Sequence, residues 1–248
     1  DIGVVSHPEP FLRLQNVGLI MADDGRKMSK RFGNVINPDD IVEKFGADSL
    51  RVYEMFMGPF GQAISWSTDN LVGARRFIER VWKLQEKVNS NAQIDLATTT
   101  LHHQTIKKVS EDIESFSFNT AIAQMMTYMN HLEKLPEISN VIFTEYIQLV
   151  APFAPHIADE IWQGLGKSDS VHQSAWPTFD ASKAQSQHIT IGVQVNGKLR
   201  DTIEIARDTN EDAVKNMALS SEQIQKWLGG NTPKKVIYVS GKIVSIVV

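Results

Sequence analysis

The sequence predicts a mixed, mainly α-helical protein in three stretches: a loop-rich opening segment, an antiparallel helical bundle, and a small α+β domain. Three observations carry this expectation. Apolar residues recur at helical spacing from Ala74 to Leu165, as on the buried faces of several helices. Beyond Gln187 the period falls to two, with Ile189, Ile191, Val193 and Val195 alternating with small or polar residues. Between these regions, Asp180 to Gln187 is polar and rich in Ala, Ser, Lys and Gln, the composition of a linker. The expected divisions are therefore 1–60, 61–179, a linker at 180–187, and 188–248.

Composition narrows the chemistry. With no cysteine among 248 residues, a disulfide scaffold, a cysteine-ligated zinc or iron–sulfur site and a cysteine nucleophile are excluded. No apolar run approaches the roughly 18 residues of a membrane span, and Asp1-Ile2-Gly3 lacks the basic start of a signal peptide, so a cytoplasmic protein without membrane contact is expected. The first residue is not methionine, which suggests a piece of a longer chain. The net charge of −4 gives no global nucleic-acid signature. Only the last stretch is net basic, with 8 Lys and Arg against 6 Asp and Glu from residue 188 onward.

In the opening stretch, Asp23-Asp24-Gly25 is a turn signal, so Lys27 to Arg31 are expected on a loop. Asn37-Pro38-Asp39-Asp40 reads as a helix start, with Asn37 as cap, Pro38 at the first position and two carboxylates at the positive end of the dipole. Gly46 ends that helix, and a second is expected from about Asp48 to Met57. In the bundle, Ser67-Thr68-Asp69 caps a helix carrying Ala74, Phe77, Ile78, Val81, Trp82 and Val88. Further stripes are Ile106, Val109, Ile113 and Phe116, then Ala121, Ile122, Met125, Met129 and Leu132, then Ile142, Tyr146, Leu149 and Val150. Pro155 opens a last helix that Gly166 closes. In the terminal domain Asn196-Gly197 marks a hairpin. Thr209 with Asp212 resembles a capping box, a second helical turn ends at Gly229-Gly230, and strands follow at Val236 to Ser240 and Ile243 to Val248.

The sharpest local feature is Lys27-Met28-Ser29-Lys30-Arg31 between Gly25 and Gly33. Two lysines three apart on a glycine-flanked loop can close over a polyphosphate, with the hydroxyl and amides adding hydrogen bonds. On charge alone a solvated basic turn is the more ordinary reading. The context reverses the balance. Lys-Met-Ser-Lys followed by Gly33-Asn34-Val35, Asn37-Pro38-Asp39-Asp40 and Gly46-Ala47-Asp48-Ser49-Leu50-Arg51 resembles the second signature of class I aminoacyl-tRNA synthetases. The resemblance to the bacterial leucyl-tRNA synthetases then runs along the chain. It includes Trp66, Gly73-Ala74-Arg75-Arg76-Phe77, Phe118-Asn119-Thr120-Ala121, Pro152 to Trp162, Trp176-Pro177, Val193 to Lys198 and Lys235 to Lys242. Isoleucyl, valyl and methionyl relatives typically end instead in a cysteine-rich zinc module, a coiled-coil arm or an OB-fold, none of which suits residues 188 to 248.

The resemblance implies a class Ia tRNA-binding bundle and a C-terminal tRNA-binding domain. It assigns Lys27 and Lys30 to catalysis, and Lys27, Met28, Ser29 and Lys30 to the ATP phosphates, with Lys30 closest to the transition state. Arg31 stands where the family usually has serine. No His-x-Gly-His signature occurs, so the chain resembles the C-terminal part of the enzyme, with half of one active site. ATP, with Mg2+ accompanying it, leucine and tRNA(Leu) are the implied ligands; no protein-bound metal and a monomer are expected. The alternative is a tRNA-binding module without catalysis of its own.

Two basic sets are candidates for the RNA. Arg76, Arg80, Lys83 and Lys87, spaced four, three and four, form one helical stripe, which is either a solvated face or a track for tRNA phosphates. Lys198, Arg200, Lys234, Lys235 and Lys242 cluster near the expected hairpin turns. Adjacent His102 and His103 cannot pair like the i, i+4 histidines of a zinc site, His156 suits a packing or capping role, and Met125, Met126 and Met129 suit core filling.

Overall fold

The computed structural model describes residues 2–185 and 188–248. It separates into two compact units, Asp1–Ala184 and Gln185–Val248. In the first, β1 (Ile20–Met21) leads into the lysine loop, and then come α1 (Pro38–Phe45), α2 (Ala47–Phe56) and β2 (Ile64–Ser65). The bundle follows: α3 (Thr68–Leu84), β3 (Val88–Asn89), α4 (Leu96–Glu114), α5 (Phe118–Leu132), β4 (Ile138–Ser139), α6 (Asn140–Val150) and α7 (Pro155–Gly164).

The expected punctuation operates locally. Asn37 Oδ1 accepts from Asp39 N, Pro38 occupies the first turn of α1, and Gly46, at φ 87°, ends it in a conformation that only glycine adopts without strain. Ser67 caps α3, and Asp95 caps α4 by accepting from Thr98 N at 2.6 Å. That hydrogen bonding from Thr98 holds the Asp95 carboxyl below its ordinary value. Apolar stripes on α3 to α7 then close one core around fully buried Val81, Ile106, Ile122, Met125, Met129, Phe143 and Tyr146. Val52 and Tyr53 of α2 belong to this same core.

β1 pairs in parallel with β2, which roots the lysine loop beside the start of α3. The approach is close: a Cβ on Gly18 would lie 1.8 Å from the Gln62 carbonyl oxygen, so only glycine fits. Tyr53 fixes the junction by accepting from Ser67 N at 2.7 Å and packing edge-on against Trp66.

The second unit is a four-stranded sheet of order β6-β5-β8-β7, formed by β5 (His188–Val195), β6 (Lys198–Ala206), β7 (Lys235–Val239) and β8 (Ile243–Val247). Helices α8 (Glu211–Ser220) and α9 (Glu222–Leu228) contribute Val214, Ala218, Ile224 and Leu228 to one core with Ile191, Val193, Val244 and Ile246. Asn196 and Gly197, at φ 49° and 78°, turn β5 into β6.

Several details differ from the sequence reading. Trp82 is 43% exposed on α3, because its side faces a surface cavity rather than the core. Val88 lies beyond α3: a 3-10 turn at Gln85–Lys87 breaks the period and delivers it to a pairing with Ile138. Phe116, at φ 58°, sits past the end of α4. Asn210, not Thr209, caps α8, because the Thr209 amide is held in the preceding turn by Ala206 O while Asn210 Oδ1 reaches Ala213 N. Of the expected linker, residues as far as Ala184 are tied down, with Ala184 O accepting from Gln104 and Asp180 N donating to His103 Nδ1. Ser186 and Gln187 lie outside the described residues.

Candidate active-site loop and nucleic-acid interface

The lysine loop is built by a tight turn and one side-chain stitch. Ala22 N donates to Arg26 O at 2.8 Å and Gly25 N to Ala22 O at 2.9 Å, a closure that places Gly25 at φ 75°. Asp24 accepts from both the backbone N and Nε of Arg26, which holds its carboxyl below the ordinary range. Met21 then bridges to Lys27. Asn34 Oδ1 accepts from Ser29 N at 2.8 Å while its Nδ2 donates to Lys27 O at 3.5 Å, so one amide closes the loop across both its limbs. Ser29 Oγ caps the short 3-10 turn Lys30–Phe32 by accepting from Arg31 N, a departure from the irregular loop expected there. Gly33 ends that turn at φ 63°.

The result divides the loop's residues by role. Met28 packs against the core, and Met28 and Ser29 are half-buried. Lys27 and Lys30 are exposed, and neither makes an ion pair among the described residues. Two ammonium groups on an anchored loop suit a multiply charged anion such as a polyphosphate. Arg31 uses only its backbone N–H here, and Arg26 lies over the Phe32 ring at 4.9 Å. Sequence reasoning missed Asn34 as the stitch; its one signal was an amide next to Gly33 in the motif.

The expected basic stripe on α3 does not survive as one surface. Arg80, its side chain still 41% exposed, pairs with the end of α5, donating Nε to Glu133 Oε1 at 2.8 Å and Nη2 to Glu133 Oε2 and to Asn130. That contact holds the Glu133 carboxyl below its ordinary value. Lys87, past the end of α3, donates to the carbonyl oxygens of Glu133 and Leu135, completing the C-terminal end of α5. Arg76 and Lys83 remain exposed.

The terminal basic set divides as well. Val195 pairs with Lys198 and with Ile246, and Lys235 pairs with Val247, so Lys198, Lys234 and Lys235 share one end of the sheet. Lys242, in the β7–β8 turn, lies at the opposite end. Arg200 occupies the register shift in β6 and stacks its guanidinium 3.5 Å from the Trp227 ring centroid.

The remaining candidates are structural. His102 is buried between the Tyr128 hydroxyl at 2.9 Å and Glu145 at 2.5 Å, while His103 serves Asp180 N. Met125 and Met129 fill the core. Among the described residues no three His, Cys, Asp or Glu side chains converge as a metal site, and no helix is long and apolar enough to cross a membrane.

Comparison with known proteins places these features in a family. Residues 4–67 match the model for tRNA synthetases class I (I, L, M and V), and residues 95–215 match the anticodon-binding domain of tRNA ligase. The fold is similar to a LeuRS from Agrobacterium radiobacter, solved in a ternary complex with tRNA and LeuAMS, at a TM-score of 0.80 and 30% identity over 99% of this chain and 34% of that one. A Mycobacterium tuberculosis methionyl-tRNA synthetase in complex with methionyl-adenylate matches at a TM-score of 0.48 and 19% identity, over 59% of this chain and 37% of that one, too distant to carry an argument. The chain thus spans about a third of the length of the LeuRS it matches. Its opening segment and bundle match the class I tRNA synthetase and anticodon-binding families, and over nearly its whole length its fold is similar to that of a LeuRS.

Proposed function

We propose that this chain supplies the ATP-phosphate loop and the RNA-binding domains of an enzyme that activates leucine with ATP and transfers it to tRNA(Leu). The observation that carries the reading is the anchored loop with Lys27 and Lys30 exposed and without ion-pair partners among the described residues, within a chain similar to LeuRS over 99% of its length. When the leucine carboxylate attacks the α-phosphate, negative charge develops on the phosphate chain, and preplaced ammonium groups stabilise it more than the ground state. Lys30 is assigned the transition-state contact and Lys27 the ground-state phosphates. Asn34 holds the loop that presents them. Mg2+ accompanying ATP would screen the same charge, and no residue of this chain is assigned to hold it. The enzyme is assigned to the cytoplasm as a monomer. RNA contacts are assigned to Arg76 and Lys83 on the bundle and to Lys198, Lys234 and Lys235 on the terminal domain; Arg80 and Lys87 are already committed within the chain.

The full-length enzyme should catalyse leucine-dependent ATP–pyrophosphate exchange and charge tRNA(Leu). Exchange driven by isoleucine, valine or methionine in place of leucine would overturn the assignment. The 248-residue chain alone should bind tRNA without exchange, since it carries no His-x-Gly-His segment.

The terminal lysines make a second test. In the full-length enzyme, replacing Lys198, Lys234 and Lys235 together with alanine should weaken tRNA binding at low salt. It should also flatten the slope of log affinity against log salt by up to about 2 to 2.7, at about 0.7 to 0.9 per lost phosphate contact. Lys242→Ala, at the other end of the sheet, should leave the slope unchanged. Parallel titrations for the triple variant and wild type would remove this end of the sheet from the interface.

A further inference from the structure

A cavity of about 720 Å3 opens on the first unit where the junction of α1 and α2 meets the outer face of α3. Phe45, Ile78, Trp82 and Ile157 make its walls apolar. Trp82 is the anomaly. Ile78, one turn back on the same side, is buried, yet this large ring is 43% exposed and lines the opening.

The polar groups at the rim are unequally engaged. Both carboxylates are already engaged: Glu79 accepts from Arg75 Nε at 2.8 Å, and Asp48 accepts from Ile157 N at 2.8 Å and binds the His156 ring at 2.7 Å. The Lys83 ammonium has no ion-pair partner among the described residues. Arg75 and Lys83 balance Asp48 and Glu79 in formal charge, and the Lys83 ammonium is the rim cation left for an incoming anion. An occupant must bring a flat apolar surface for the indole and negative charge for the ammonium. Arg76, exposed and seven residues before Lys83, lies on the same side of α3 about 10 Å away along the axis, so the positive charge continues beyond the cavity as a polyanion requires.

We propose that this cavity receives one unstacked base of the bound tRNA, laid against the Trp82 ring, with Lys83 on the adjoining phosphate. Stacking on an aromatic ring tolerates any base, so the contact anchors the RNA on the bundle without reading its sequence. The inference rests on the reading of tRNA as partner and adds a site on the bundle to it.

The test uses the full-length enzyme and a tRNA(Leu) transcript, with affinity measured for wild type, Trp82→Ala and Trp82→Phe. Trp82→Ala should weaken binding by about 5- to 150-fold, the span found for loss of one base–aromatic stack. Trp82→Phe, which keeps a ring, should stay within about 3-fold of wild type. The emission lost between wild type and Trp82→Phe isolates this indole, and tRNA should quench it. Equal losses in the two variants would overturn the stack, as would equal affinity of Trp82→Ala and wild type. An indole signal already that of a buried ring, and unmoved by tRNA, would show that protein fills the cavity and would also overturn the proposal. If wild type binds no tRNA, the functional reading itself falls, an outcome separate from a binding wild type with an indifferent Trp82.

Discussion

In the full-length enzyme, Lys30→Ala should slow leucyl-adenylate formation by about two orders of magnitude while leaving leucine affinity within about 2-fold. The estimate follows from removing one preorganised charge-stabilising donor, worth about 3 kcal/mol of transition-state energy. Lys30 leads into a 3-10 turn capped by Ser29 and ended by Gly33, so its backbone is fixed before ATP arrives. An ammonium held in advance needs no reorganisation at the moment of reaction, which makes its loss appear in kcat more than in KM. Single-turnover measurement of pyrophosphate release separates the two. Arg31→Ser is the control, because the loop uses only the Arg31 amide. A Lys30→Ala enzyme that activates leucine at the wild-type rate would reduce Lys30 to a surface residue.

Asp48→Ala should be the strongest destabilising change among the polar residues, about 2 to 3 kcal/mol and, for a unit of this size, about 4 to 12 °C in Tm. Asp48 is 8% exposed, and its carboxylate receives Ile157 N at 2.8 Å, His156 N at 3.4 Å and the His156 ring. The α7 N-terminus has no side-chain cap of its own, and Pro155 removes one donor, so Asp48 supplies from α2 what the local sequence lacks. Asp48→Asn keeps an acceptor but loses the charge and should fall between the two. Thermal unfolding of the 248-residue chain measures this, and an unchanged Tm for Asp48→Ala would mean that another group holds the start of α7.

Local features of the fold were readable in the sequence because their causes are local. Asn37, Pro38 and Gly46 bound α1 through hydrogen bonds and φ values set within a few residues, and Asn196-Gly197 turns its hairpin for the same reason. The lysine loop was readable from its motif, since both lysines and their glycines lie within nine residues. Partners distant in sequence were not readable. Arg80 looks like any exposed cation until Glu133 arrives from the end of α5, 53 residues on, and no pattern near Asp48 announces His156. Trp82 fails differently: it obeys the helical period, but the face it lies on meets a cavity rather than another helix.

The bond between Asp48 and His156 spans 108 residues, and Arg51 reaches across 101 to donate to Pro152 O at 2.8 Å. On the ribosome, α2, the second helix after the lysine loop, therefore emerges well before α7 and the turn at Pro152 that complete its setting. At about 5 to 20 residues per second, α2 waits roughly 5 to 20 s with its apolar side uncovered. During that interval Val52 and Tyr53 are chaperone-accessible surface, and the support beneath the loop is assembled only when the bundle closes over it.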